Sequence, residues 1–163
     1  MVNRPKFREA WQAFETVNVP VKMVGDLIGG KVKSNIDSGI FNNACPIRIS
    51  HVLNQTGFQI TKKQNIAMSS GRDGQWYLYR VVGTIEYFQS TFGRPEVIIK
   101  GAPSYTDFKD KKGILVVKGT GWGDAQGHIT LWNGTKCSDS CHLSESPDNG
   151  SFVPEEAYLW ELP

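Results

Sequence analysis

A chain of 163 residues with 39% hydrophobic, 11% aromatic and 21% charged side chains is long enough to bury a core and too apolar for a disordered or low-complexity segment. Its 18 basic against 16 acidic residues leave a net charge of only +2, without the basic excess that binding a phosphate backbone requires, so nucleic acid is not an expected partner. Apolar runs stop at about four residues, as at Ile114-Leu115-Val116-Val117, far short of the roughly 20 that cross a bilayer, so no membrane insertion is expected.

Asn3-Arg4-Pro5 reads as a helix start, and Phe7, Trp11 and Phe14 then recur at helical spacing, which predicts an amphipathic helix over residues 4–16. Glu9, Gln12 and Glu15 break what would have to be the apolar stretch of a signal peptide, so no export signal is expected there. The stretch from Val24 to Gly39 contains four glycines and is expected to be loop-rich with at most a short helix. Cys45, Ile49, Val52 and Leu53 fall on one helical face, predicting a helix from Cys45 to about Asn54 that Gly57 ends. A polar turn over residues 69–75 precedes Trp76, Leu78, Val81, Val82, Ile85 and Phe88, which outline another helical face stopping near Gly93.

After Pro95 the pattern changes. Gly113–Lys118, Gly127–Trp132 and Ala157–Leu162 are short, rich in β-branched or aromatic residues and bounded by turn formers, as antiparallel strands are. Helices first and strands afterwards predict an α+β fold, with the helices packed on one face of a small antiparallel sheet. Neither an internal repeat nor a second domain boundary interrupts residues 1–163, so a single domain is expected.

The chemistry centres on Cys45. With Pro46 in the first helical position, Cys45 is the expected N-cap, where free backbone N–H groups and the helix dipole favour a thiolate over a thiol. The alternative is a small buried hydrophobe. Three histidines are available as a base. His51 lies six residues along the same helix, roughly opposite Cys45, and is expected at the surface. His128 shares one face of its strand with Thr130 and Trp132, and lines a groove if the Ile129/Leu131 face is the core side; a structural hydrogen bond is the competing role.

A third group usually orients the imidazole, and Asp139, enclosed by Cys137 and Cys141, is the best placed, with Asp124, Asp148 and Asn133 as rivals. Three cysteines divide naturally into this close pair and the distant Cys45. Cys137, Cys141 and His142 also suggest a metal site, but one irregular cluster lacks the paired ligand spacing of zinc sites, and no metal is expected. Gly119-Thr-Gly-Trp-Gly123 lacks the Walker lysine and the strand-to-helix context of a nucleotide loop, and reads as a turn or a flexible wall; no cofactor is expected.

The strings Gly39-Ile-Phe-Asn-Asn-Ala-Cys-Pro-Ile-Arg-Ile-Ser50, Gly127-His-Ile-Thr-Leu-Trp-Asn-Gly134 and Cys137-Ser-Asp-Ser-Cys141 together resemble the type VI secretion amidase effectors of family 4. The order of nucleophilic Cys, strand His and polar third residue is similar to papain-like and NlpC-type cysteine peptidases. Ala44-Cys45-Pro46 departs from the Asp-Cys-Ser of common NlpC-type enzymes, so the likeness is to the effectors more than to the superfamily.

The resemblance implies a papain-like enzyme that hydrolyses the γ-D-glutamyl–meso-diaminopimelate amide of peptidoglycan stem peptides. It implies Cys45 as nucleophile, His128 as general base and Asp139 as orienting carboxylate; backbone N–H groups at the helix start suit an oxyanion, which points to the Cys45 N–H as one donor and to the loop of Asn42 and Asn43 for a second. It implies a cognate immunity protein, and delivery by the secretion machinery to the periplasm of target bacteria, where a Cys137–Cys141 disulfide is expected. The competing readings are a transglutaminase-like acyl transferase with the same triad, and a non-catalytic binding module with a loop disulfide.

Overall fold

The computed structural model describes residues 3–41, 43–123 and 126–163. Five helices are described: α1 (Phe7–Val17), α2 (Val21–Ile28), α3 (Gly30–Asp37), α4 (Cys45–Gln55) and α5 (Val81–Phe92). The strands are β1 (Met68–Ser70), β2 (Trp76–Leu78), β3 (Val97–Lys100), β4 (Gly113–Thr120), β5 (Gly127–Trp132) and β6 (Val153–Glu161), with a 3₁₀ turn at Tyr105–Phe108. β1 and β2 form a small hairpin, and the other four strands form an antiparallel sheet in the order β3-β6-β4-β5. The fold is α+β, as expected.

The sheet is buried on both faces. Ile114, Val116, Ile129, Leu131 and Trp160 pack against α1, α4 and α5. Leu115, Val117, Trp132, Ala157 and Leu159 pack on the other side against Phe108, Leu143, Phe152 and the Cys137/Cys141 pair. His128 and Thr130 belong to that second face and are buried with it, so β5 does not present them to an open groove as its alternation suggested. The segment between β5 and β6 folds back and covers them.

Several expected bounds move, each for a local reason. α1 begins at Phe7 and not at Arg4, because Arg4 is drawn to the C-terminal strand, where it pairs with Glu96 and donates to the carbonyls of Phe92 and Glu161. The glycine-rich stretch holds two helices instead of a loop. Val24, Ile28, Val32 and Ile36 recur every four residues and are buried together with Phe41, Ile47 and Tyr77, which outweighs the glycine content. The junction demands glycine: Gly29 and Gly30 have φ of 69° and 61°, and a Cβ on Gly30 would meet the Gly71 carbonyl carbon at 2.6 Å.

The apolar pattern after the polar turn divides between a strand and a helix. Gly71 N–H donates to Gln75 O at 3.0 Å and closes a hairpin, so Trp76–Leu78 pair with Met68–Ser70 and α5 starts only at Val81.

Ser50, fully buried on α4, donates to Pro46 O at 2.7 Å and accepts from Leu78 N–H at 2.8 Å. This bond ties the helix that starts with Cys45 to β2. Ser50→Ala would leave the Leu78 N–H buried without a partner and should cost about 2 kcal/mol. The check is a lower urea midpoint with an unchanged slope.

Candidate active site

α4 packs beside β5, the edge strand of the sheet, and this brings its first turn to His128. Ala44, not Cys45, is the N-cap: the helix starts one position earlier than expected, with Cys45 as its first residue and Pro46 as its second. Cys45 is 1% exposed and belongs to the helix-side core, yet its sulfur also lies beside the His128 ring. Burial in the core and closeness to an imidazole thus coincide at this side chain.

His128 Nε2 lies 3.0 Å from Asp139 Oδ1, which leaves Nδ1 as the ring nitrogen for the sulfur. Asp139 Oδ1 also accepts from Thr130 Oγ1 at 2.6 Å. Burial disfavours charge on His128, but the Asp139 carboxylate and the Cys45 sulfur outweigh it and raise its pKa to about 10. Burial likewise works against the Asp139 carboxylate; the charge and hydrogen bond of His128, the Thr130 hydroxyl and the charge of Arg48 reverse the balance and lower its pKa. The pair is held as imidazolium and carboxylate.

The loop carrying Asp139 is fixed from several sides. Cys137 and Cys141 are joined by a disulfide. Ser138 N–H donates to Leu131 O at 2.9 Å, its hydroxyl lies 3.0 Å from Thr130 Oγ1, and its carbonyl accepts from Asn18 Nδ2 at 3.1 Å. The disulfide takes both sulfurs that the metal reading needed. Among the described residues no cluster of three or more His, Cys, Asp or Glu is arranged to hold a metal ion.

We expect replacement of both Cys137 and Cys141 by Ser to reduce activity more than global stability. The closed loop is tiny, so the chain-entropy contribution is only about 2 kcal/mol, while the loop sets the position of Asp139. Comparing the fall in turnover with the shift in unfolding midpoint tests this, and equal proportional losses would refute it.

The rivals for the third position are used elsewhere. Asp148 accepts from Ser140 Oγ at 2.6 Å and lies 3.9 Å from His142 Nδ1. Asn133 Oδ1 accepts from the Thr135 and Lys136 N–H groups in a turn. Asp124 lies outside the described residues, as does Asn42 of the expected oxyanion loop. Asn43 is described, and its Oδ1 accepts the Cys45 N–H at 3.1 Å, so this donor is already bonded. His51, six residues after Cys45 on α4, is half-buried, with Nε2 3.1 Å from Thr16 Oγ1 in an exposed hydrogen bond.

Two clefts share Gln126, the second residue before His128, in their linings. One, of about 340 Å³, is lined by Asn43, Pro46 and Arg80 among others; the second, of about 560 Å³, by Lys118, Trp122 and Glu156 among others. The glycine-rich segment is a wall of this second cleft. A Cβ on Gly119 or Gly121 would meet the carbonyl oxygens of Val153 or Ser151 at 2.1 and 2.0 Å, so glycine serves close backbone approach there.

The sequence assigns none of these roles to Thr130, Arg48 or His142. Thr130 was accessible through its two-residue spacing from His128. His142 reads in the sequence only as a candidate metal ligand, and Arg48 carries no signal.

Residues 41–160 match the family described as Type VI secretion system (T6SS), amidase effector protein 4. The chain belongs to that family. This makes it an antibacterial amidase effector directed at peptidoglycan. Among solved structures it is similar to the effector Tae4 from Salmonella typhimurium, in complex with the immunity protein Tai4 from Enterobacter cloacae, with a TM-score of 0.94 and 55% identity over 98% of this chain and 100% of that one. The Enterobacter cloacae effector Tae4 superimposes with a TM-score of 0.92 at 44% identity, covering 100% of both chains. Tae4 from Salmonella Typhimurium, in a Tae4–Tai4 complex, gives 0.89 at 53% identity over 99% of this chain and 100% of that one. A search of curated proteins finds no match.

Proposed function

We propose that this amidase effector, acting as one catalytic domain, hydrolyses the γ-D-glutamyl–meso-diaminopimelate amide of peptidoglycan stem peptides through a Cys45 acyl-enzyme. The observation that carries the reading is the convergence of the Cys45 sulfur on a His128 ring whose other nitrogen is bonded to Asp139. A thiolate beside an imidazolium is the activated form of a cysteine nucleophile.

Cys45 Sγ attacks the γ-carbonyl carbon, and the Cys45 N–H receives the oxyanion once the Asn43 side chain turns away from it. His128 then gives its proton to the diaminopimelate amine, the C–N bond breaks, and a thioester remains. Water, deprotonated by His128, attacks the thioester and releases the glutamyl acid with the thiol regenerated. Asp139 holds the ring in line throughout and stabilises its charge.

The solved relatives bind the immunity protein Tai4, and a cognate immunity protein that covers the cleft is the corresponding partner here. Membership of a secreted effector family supports delivery to the periplasm of target bacteria, where peptidoglycan lies and where an oxidising compartment suits the disulfide. Among the described residues no helix is long and apolar enough to cross a membrane.

Digestion of purified meso-diaminopimelate peptidoglycan, with mass analysis of the fragments, tests the bond. The expected products end in free D-glutamate on one side and begin with a free diaminopimelate amine on the other. Cleavage at another amide would overturn the bond assignment, and products joined to an added amine would make the enzyme an acyl transferase.

A further inference from the structure

Beside the base lies a second histidine that the mechanism above does not use. His142 directly follows the disulfide cysteine Cys141 and has a φ of +57°, a conformation that His, Asn and Asp accept more readily than other side chains. Its ring meets His128 edge to face, with centroids 4.8 Å apart and planes at 84°. It meets Trp122 in the same way at 4.7 Å, and Trp122 in turn stacks on Phe152 at 4.1 Å. His142 is thus wedged between the base and an aromatic wall.

Its hydrogen bonding fixes its tautomer. Asn149 Nδ2 donates to Leu143 O at 2.8 Å, which sets the orientation of that amide and makes Asn149 Oδ1 an acceptor. His142 Nδ1, 3.0 Å from that oxygen, must then carry the proton. In the neutral ring Nε2 bears a lone pair, and no described residue bonds to it.

We propose that His142 is a positioning residue for His128, packing against the base as a neutral ring and disabling the site when Nε2 takes a proton. The proposal rests on reading His128 as the base and adds a residue that sets the acid limit of the reaction. The charged and titratable groups around His142 are His128 on β5, Asp139 in the disulfide loop and Asp148, whose carboxylate is turned to Ser140. Burial and the neighbouring His128 charge hold the His142 pKa below its ordinary value, against smaller opposing effects from Asn149, Asp148 and Asp139. A proton on His142 would place two cations in edge-to-face contact. The repulsion disfavours the imidazolium form of His128, and with it the proton that the leaving diaminopimelate amine takes from this ring.

The test is the pH–rate profile for hydrolysis of purified peptidoglycan by wild type, His142→Phe and His142→Asn. Phenylalanine keeps a ring against His128 but cannot take a charge; asparagine suits the backbone conformation but removes the ring. In both, the acid limb should move to lower pH by about half a unit or more. The plateau rate should stay within about threefold in His142→Phe and fall about tenfold in His142→Asn. An acid limb that stays in place overturns the switch, and an undiminished plateau in His142→Asn overturns the positioning role.

Should a variant fail to fold, the wild-type protein decides by NMR titration: the His142 ring should titrate with the midpoint of the acid limb, and one that does not overturns the proposal. Full activity of Cys45→Ala would instead refute the underlying site assignment. An inactive Cys45→Ala together with an unmoved acid limb refutes only the role of His142.

Discussion

Replacing Cys45 with alanine should lower peptidoglycan hydrolysis by at least about a thousandfold while the protein stays folded. The substitution removes one sulfur from a site where the surrounding core, Ala10, Ile49 and the neighbouring strand residues, remains intact. Loss of a single buried heavy atom costs about 1 kcal/mol, a small fraction of the stability of a domain. The chemistry has no such reserve, because no other described thiol is free. His128→Ala should do equal damage, and the double variant should be hardly worse than either single one, since nucleophile and base act as a unit. The comparison is made on product release from purified peptidoglycan, with circular dichroism to confirm the fold. More than a few per cent residual activity in Cys45→Ala would remove it from the nucleophile's role, and additive losses would separate His128 from it.

How far the sequence carries this site depends on which interactions are local. β5 is legible from its six alternating residues between glycines, and α4 from the spacing of Cys45, Ile49, Val52 and Leu53; both are observed within a residue or two of their expected bounds. Where a strand has only three residues, as β1 and β2 do, pairing is decided by the hairpin turn and the core beneath it, and the apolar pattern alone reads as helix. β3 is not legible because Val97–Lys100 gain strand character only by pairing with β6. At the site, Cys45 and His128 are marked by residue type and by position at an element's start. Asp139 is marked by its flanking cysteines. The edge-to-face contact of His142 with His128, the Thr130 hydroxyl on Asp139 and the charge of Arg48 near that carboxylate all arise when the segment after β5 folds back along the strand. No spacing rule encodes that return path.

Asp139→Asn should reduce hydrolysis by about a hundredfold, less than loss of nucleophile or base, and should change how stability depends on pH. In the native protein the His128 pKa is raised to about 10, so its share of the ion-pair stability is complete below the unfolded value near 6.5 and is lost as pH rises through about 10. The lowered Asp139 contributes in the opposite sense: its share is complete above the unfolded carboxylate value near 3.9 and is lost as pH falls through the native one. The stability gap between wild type and Asp139→Asn should therefore be widest between about pH 4 and 6.5 and narrow on either side. Within that window about 3 kcal/mol is expected, because without the carboxylate His128 must either keep a buried unpaired charge or give up its proton below its ordinary pKa. Freed of the carboxylate, burial becomes the dominant influence on His128 and its pKa falls, so less of the imidazolium that the proposed reaction uses is present at neutral pH. Urea unfolding across the pH range and NMR titration of the His128 ring measure the two effects separately. A constant stability gap, or an undisturbed His128 titration, would show that Asp139 does not hold the charge on the base and that its hydrogen bond serves the loop alone.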